Sequence, residues 1–137
     1  MWKIFLIDDD DVNQHVSLRT IQSCLSDTAV SVQEFSSGAQ ALQYLEQHAR
    51  DADKLPDLIF LDINMPAISG WDFLEKFENM SSSMVEVPKI SMMSASWFVE
   101  DMNRALRYTH VIDYISKPLT QEPFEDLINE LSKKRSQ

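Results

Sequence analysis

Four consecutive apolar residues, Leu58-Ile59-Phe60-Leu61, stand between Pro56 and Pro66 and stop abruptly at Asp62. An unbroken apolar run this short, rich in β-formers and fenced by prolines, reads as a strand covered on both faces, the kind found inside parallel sheets. Such a strand needs neighbours on either side and a layer above and below it. It also sets Asp62 at the strand's carboxyl end, the edge where open parallel sheets bind their ligands, which makes this carboxylate a candidate reactive group. Taken alone, the stretch is equally a strand followed by a turn that Asp62 initiates toward Asn64 and Gly70.

The pattern recurs along the chain. Residues 3–7 form a second short apolar run that ends in Asp8-Asp9-Asp10-Asp11, and residues 30–35 a less uniformly apolar one suited to a sheet edge or its neighbour. Residues 90–93 stop at Ser94-Ala95-Ser96, and residues 111–115 precede Lys117-Pro118. Helical spacing fills the intervals. Val12, Val16, Ile21 and Leu25 mark the first helix, with Asp10 or Asp11 placed to cap it, and Ala41, Leu42 and Leu45 follow Ser36-Ser37-Gly38 in a second that ends near residues 48–50. Trp71, Leu74 and Phe77 mark a third from Gly70, ending in a polar loop over residues 79–83, and Phe98, Met102 and Ala105 mark a fourth. Phe124, Leu127, Ile128 and Leu131 mark a fifth behind Thr120, with Pro123 tolerated in its first turn. Strands alternating with helices imply parallel pairing through right-handed crossovers, hence a doubly wound α/β fold with a five-stranded parallel sheet and helices on both faces. A chain of 137 residues suits one such domain over 1–137, with its core over about 2–132 and a short polar tail.

Charge narrows the partners. Acidic residues outnumber basic ones 22 to 12, and a net charge of −10 argues against nucleic acid, which calls for a basic face. The apolar runs are far shorter than a membrane span and the N-terminus lacks a signal peptide's apolar region, so no membrane partner and a cytoplasmic location are expected. The single cysteine, Cys24, has no internal partner and reads as a buried structural thiol within the first helix. His15, His48 and His110 show no metal-ligand spacing, and Lys133-Lys134-Arg135 read as cations placed at a helix C-terminus.

Parallel strands share one carboxyl edge, which gathers Asp8, Asp9, Asp62, Ser94 and Lys117. Three carboxylates and one ammonium leave a charge of about −2, that of one divalent cation, without which the carboxylates repel and one tends to stay protonated. Mg²⁺ fits, as a hard ion that takes oxygen ligands and commonly works beside a phosphate, and a backbone carbonyl such as that of Asn64 can complete the set. The economical chemistry is phosphoryl transfer to Asp62 as nucleophile, with Mg²⁺ and Lys117 neutralising the phosphoryl oxygens and Ser94 hydrogen-bonding one of them.

These motifs together resemble the receiver domain of two-component response regulators, of the stand-alone chemotaxis kind, over essentially the whole chain. Ile7-Asp8-Asp9 resembles the family's acidic pair, Leu61-Asp62-Ile63-Asn64-Met65-Pro66 with Gly70 its phosphoacceptor loop, and Ser94-Ala95 and Lys117-Pro118 its hydroxyl and lysine positions. The resemblance implies strand order 2-1-3-4-5 and a cis Lys117-Pro118 bond. It further implies Asp9, Asp62 and the Asn64 carbonyl as direct Mg²⁺ ligands, Asp8 acting mostly through water, and Ser94 with Tyr114 as the switch pair. The implied partners are a sensor histidine kinase or a histidine phosphotransfer protein, and an unidentified downstream protein met by the face of the fourth helix, fifth strand and fifth helix. Ser94 stands where Thr is also frequent, and Tyr108-Thr109-His110-Val111 departs from the Gly-Ala pair of many relatives. Nothing follows Gln137 in this sequence, so an output domain is not expected within it. The chain is expected not to be a turnover enzyme, beyond phosphorylating and dephosphorylating its own Asp62. Two rival readings stand beside this one: a pseudo-receiver that binds protein without being phosphorylated, and a small phosphatase working through an aspartyl phosphate, for which no cap or further acid/base carboxylate is found.

Overall fold

The computed structural model describes residues 2–95 and 98–135. Ser96, at the end of the Ser94-Ala95-Ser96 stop, lies outside the described residues. Five strands, β1 (Trp2–Ile7), β2 (Val30–Phe35), β3 (Leu58–Asp62), β4 (Lys89–Ser94) and β5 (Val111–Ser116), alternate with helices α1 (Asp11–Cys24), α2 (Gly38–Gln47), α3 (Gly70–Ser81), α4 (Val99–Ala105) and α5 (Gln121–Arg135). All pairings are parallel and the strand order is β2-β1-β3-β4-β5.

Alternation along the central strands divides the core in two. Phe5 and Ile7 of β1 and Ile59 and Leu61 of β3 face one layer, where they meet Leu45 of α2, Phe73 and Phe77 of α3 and Ala105 of α4. Ile4 and Leu6, with Leu58 and Phe60, face the other layer and pack on Ile21 of α1 and Phe124, Leu127 and Leu131 of α5. Every residue of β3 is buried. That is the two-sided burial that its unbroken apolar run predicts, and fully burying each such side chain is worth about 1.5–3 kcal/mol.

Helix α1 departs from expectation. Its apolar markers Val12 and Val16 are 73% and 38% exposed, whereas Asn13, Gln14, Ser17 and Ile21 are buried. The first two polar residues find acceptors on the inward side: Asn13 Nδ2 donates to Asp8 Oδ2, and Gln14 Nε2 donates to the Phe35 carbonyl at 3.1 Å, while Gln14 Oε1 is buried without a hydrogen bond. The cap is Asp10, whose Oδ1 accepts from Val12 N at 3.0 Å and Asn13 N at 3.2 Å. Helix α3 runs to Ser81, three residues into the segment expected to be loop, and starts on a capping box in which Ser69 and Asp72 satisfy each other's backbone. Cys24 is half-buried at the margin of the α1/α5 layer, not fully buried. Helix α4 is short, buries only Ala105, and leaves Phe98 at its N-cap 56% exposed.

Candidate functional site

Register brings the site together. Ile7 pairs with Leu61, so Asp8 and Asp62 follow on adjacent rungs; Asp62 pairs with Met93, one residue before Ser94; Ser94 pairs with Ser116, one residue before Lys117. The Lys117 amide donates to the Ser94 carbonyl at 2.9 Å, which joins the hydroxyl-bearing and lysine-bearing strand ends directly. The Lys117-Pro118 peptide is cis, as the resemblance implies.

Asp62 is 2% exposed and Asp8 is 1% exposed, while Asp9 lies open to solvent. One oxygen from each of these three carboxylates lies within 4.8 Å of the others, close enough to share a cation. Lys117 Nζ sits between two of them, 3.1 Å from Asp62 Oδ2 and 3.3 Å from Asp8 Oδ2. Asp8 is anchored further by the Asp10 amide, which donates to its Oδ1 at 2.9 Å, and by Asn13. The Asn64 amide donates to Asp62 Oδ1 at 3.2 Å, which folds the phosphoacceptor-like loop back over its own carboxylate.

Electrostatics show what this arrangement lacks. Burial, then repulsion from Asp8, pushes the Asp62 carboxyl up from 3.8 to about 6 despite the opposing pull of Lys117. Burial alone would lower the Lys117 ammonium, but attraction to Asp62 and then Asp8 overcomes it and holds this group above 10.5. One ammonium therefore leaves the buried carboxylates under-compensated. The donor chemistry fits one hard divalent cation: three carboxylates with oxygens inside one coordination sphere and a residual charge of about −2 beside Lys117.

Gly70 is a steric requirement of this site. A Cβ there would fall 2.8 Å from both the Asp62 carbonyl oxygen and the Ile63 Cα, so the start of α3 can reach the loop that follows Asp62 only without a side chain. Its amide donates to the Ile63 carbonyl at 2.8 Å. Ala67 in the same loop holds φ at 66°, the left-handed region. Tyr114 is 4% exposed and packs in the α2/α3/α4 layer. None of the histidines joins a metal-binding cluster among the described residues: His48 lies against Tyr44 at 4.3 Å and His110 meets Phe77 at 5.8 Å. Sequence reasoning missed Asn13. Its signal was a polar residue one turn into the helix after the acidic run, where a purely structural helix would turn an apolar side chain to the sheet.

The profile of the response regulator receiver domain matches residues 4–129. The chain belongs to the response regulator receiver family. This receiver superposes on a two-component response regulator from Cytophaga hutchinsonii with a TM-score of 0.84 and 30% identity, covering 96% of each chain. It is 26% identical over 133 residues to a hybrid signal transduction histidine kinase of Dictyostelium discoideum, covering 96% of the receiver and 7% of that protein. A two-component response regulator of Arabidopsis thaliana is 35% identical over 96 residues, covering 66% of the receiver and 44% of the relative. The receiver thus spans less than half the length of these two relatives. Among the described residues no helix is long and apolar enough to cross a membrane.

Proposed function

We propose that this receiver takes a phosphoryl group from a phosphohistidine onto Asp62 in a Mg²⁺-dependent reaction and signals by changing its affinity for a protein partner. The observation that carries this reading is the buried strand-end Asp62, held 3.1 Å from Lys117 and sharing a cation-sized space with Asp8 and Asp9. An Asp62 oxygen attacks phosphorus as the phosphorus–nitrogen bond to the imidazole breaks, and the leaving imidazole takes a proton from solvent. Lys117 neutralises a phosphoryl oxygen, and the Ser94 hydroxyl, at the adjoining strand end, donates a hydrogen bond to another. Asp8, Asp9, Asp62 and the Asn64 carbonyl would hold Mg²⁺, which offsets the charge of the incoming group and of the carboxylates. In-line positioning and charge neutralisation suffice, so no acid/base residue is assigned and no turnover of free substrates is expected.

The donor in this reading is a sensor histidine kinase or a histidine phosphotransfer protein, in keeping with the Dictyostelium relative's being a hybrid histidine kinase. The output face comprises α4, β5 and α5, where Phe98, Val99 and Leu106 are 56%, 55% and 47% exposed and offer apolar anchors to a downstream protein. Tyr114 already packs inward, so phosphorylation, by drawing Ser94 toward the phosphoryl group, stabilises this packing against an outward alternative and does not create it. The test is labelling with phosphoramidate. Acid-stable, hydroxylamine-labile phosphate should appear on Asp62 only when Mg²⁺ is present, and Asp62→Asn should abolish it. Mg²⁺-independent labelling, or unchanged labelling of the variant, overturns the assignment to Asp62, and no labelling under any condition favours the pseudo-receiver reading.

A further inference from the structure

The basic run at the end of α5 does more than meet a helix dipole. The Arg135 guanidinium lies 3.6 Å from the centre of the Trp2 ring and its Nη2 is 2.7 Å from Asp57 Oδ1, while the other oxygen of Asp57 accepts from the Lys3 amide at 2.8 Å. Trp2, Asp57 and Arg135 thus form one fixed wall, joining the start of β1, the approach to β3 and the end of α5. This wall borders a cavity of about 240 Å³ at the amino-terminal edge of the sheet, opposite the edge that carries Asp62.

The lining has two characters. Pro56, Val87 and Leu131 join Trp2 in a largely apolar floor, with Pro56, Leu131 and Trp2 buried. On the rim stand Lys89, Lys134 and Glu86 beside the Arg135–Asp57 pair. Arg135 and Asp57 neutralise one another. Neither Lys89, Lys134 nor Glu86 has a side-chain ion pair among the described residues, so the rim carries two uncommitted ammonium groups against one carboxylate. A locally positive rim is the reverse of a chain whose net charge is −10.

We propose that this cavity binds a small aromatic carboxylate. The floor, with the Trp2 ring in it, removes a ligand ring from water, and Lys89 and Lys134 on the rim meet the carboxylate. The volume sets the size: it falls just below the roughly 300 Å³ at which drug-sized pockets begin, so it admits a single ring with a short acidic arm. The site is remote from Asp62 and does not depend on phosphorylation.

Titration of the ¹⁵N-labelled receiver with phenylacetate, phenethylamine and 2-phenylethanol tests this. Phenylacetate should shift the Trp2 indole N–H and the amides of Val87 and Leu131 saturably, and phenethylamine, of similar size and opposite charge, should bind at least tenfold more weakly. The double variant Lys89→Glu/Lys134→Glu changes only exposed side chains and should lower phenylacetate affinity about tenfold. Three results overturn the proposal: no saturable shift up to tens of millimolar, shifts centred away from Trp2, or phenethylamine binding as tightly as phenylacetate. Undiminished binding by the double variant overturns it as well. Asp62→Asn should bind phenylacetate like the unaltered chain, which keeps this outcome separate from that of the phosphorylation test.

Discussion

In the metal-stripped receiver, replacing Asp62 by Asn should stabilise the fold at neutral pH. Its carboxyl is raised from 3.8 to about 6, first by burial and then by Asp8, so ionisation is harder in the folded chain than in the unfolded one. A group raised in this way supports the fold fully below pH 3.8, and that support is lost as the pH climbs through about 6. The difference between the two values corresponds to about 3 kcal/mol. That figure is already net of the pull of Lys117, which retains Asp8 at 3.3 Å in the variant; asparagine keeps the shape without the charge, and with partial relaxation of the site a gain of about 2 kcal/mol is expected above pH 7. For a chain of this length that is roughly 8 °C in Tm. Thermal unfolding followed by circular dichroism in EDTA, from pH 4 to pH 8, reads the difference. It should be largest from pH 7 upward and fall to a fraction of that by pH 4. Equal melting temperatures at pH 7.5, or a gain that persists unchanged at pH 4, would refute the claim that buried, crowded charge strains this site. Saturating Mg²⁺ should narrow the variant's advantage by stabilising the unaltered chain more than a variant that has lost one of the carboxylates.

Gly70→Ala should destabilise by about 1–3 kcal/mol in urea unfolding and sharply reduce phosphoramidate labelling, since the new methyl must displace the backbone at Asp62 and Ile63, each 2.8 Å away. Ala67→Gly should raise stability by about 0.5 kcal/mol, the relief of a left-handed alanine less the added freedom of glycine when unfolded, seen as a higher urea midpoint at unchanged slope. Ser94→Ala should still accept phosphate at Asp62 but lose most of a phosphorylation-dependent gain in partner affinity of about 1–3 kcal/mol, measured by titration calorimetry; retention of the full gain would remove the hydroxyl from the switch.

What could be read in advance was whatever local pattern dictates. The apolar runs located all five strands, and the parallel sheet then follows from their alternation with helices, so the shared edge of Asp8, Asp62, Ser94 and Lys117 was legible before any coordinate. Asp10 was legible as a cap for the same reason. The inward face of α1 was not. Hydropathy assigns Val12 and Val16 to the core, but the helix begins beside a polar sheet edge, where Asn13 and Gln14 find partners that valine could not use. Arg135 illustrates a second limit. Its partners, Trp2 and Asp57, lie far away in the chain, so composition could suggest only a generic cation at a helix end.

Helix α4 has seven residues and buries one side chain, Ala105. A helix of two turns holds little stability of its own and depends on what it packs against. Its amides should therefore exchange with deuterium through local opening, at rates nearly independent of denaturant, while those of β1, β3 and β4 wait for global unfolding. Melting α4 would uncover little apolar surface and leave the sheet intact. The segment bearing Phe98, Val99 and Leu106 is thus the part of the molecule that a partner can order, displace or rebuild at the smallest energetic cost to the rest.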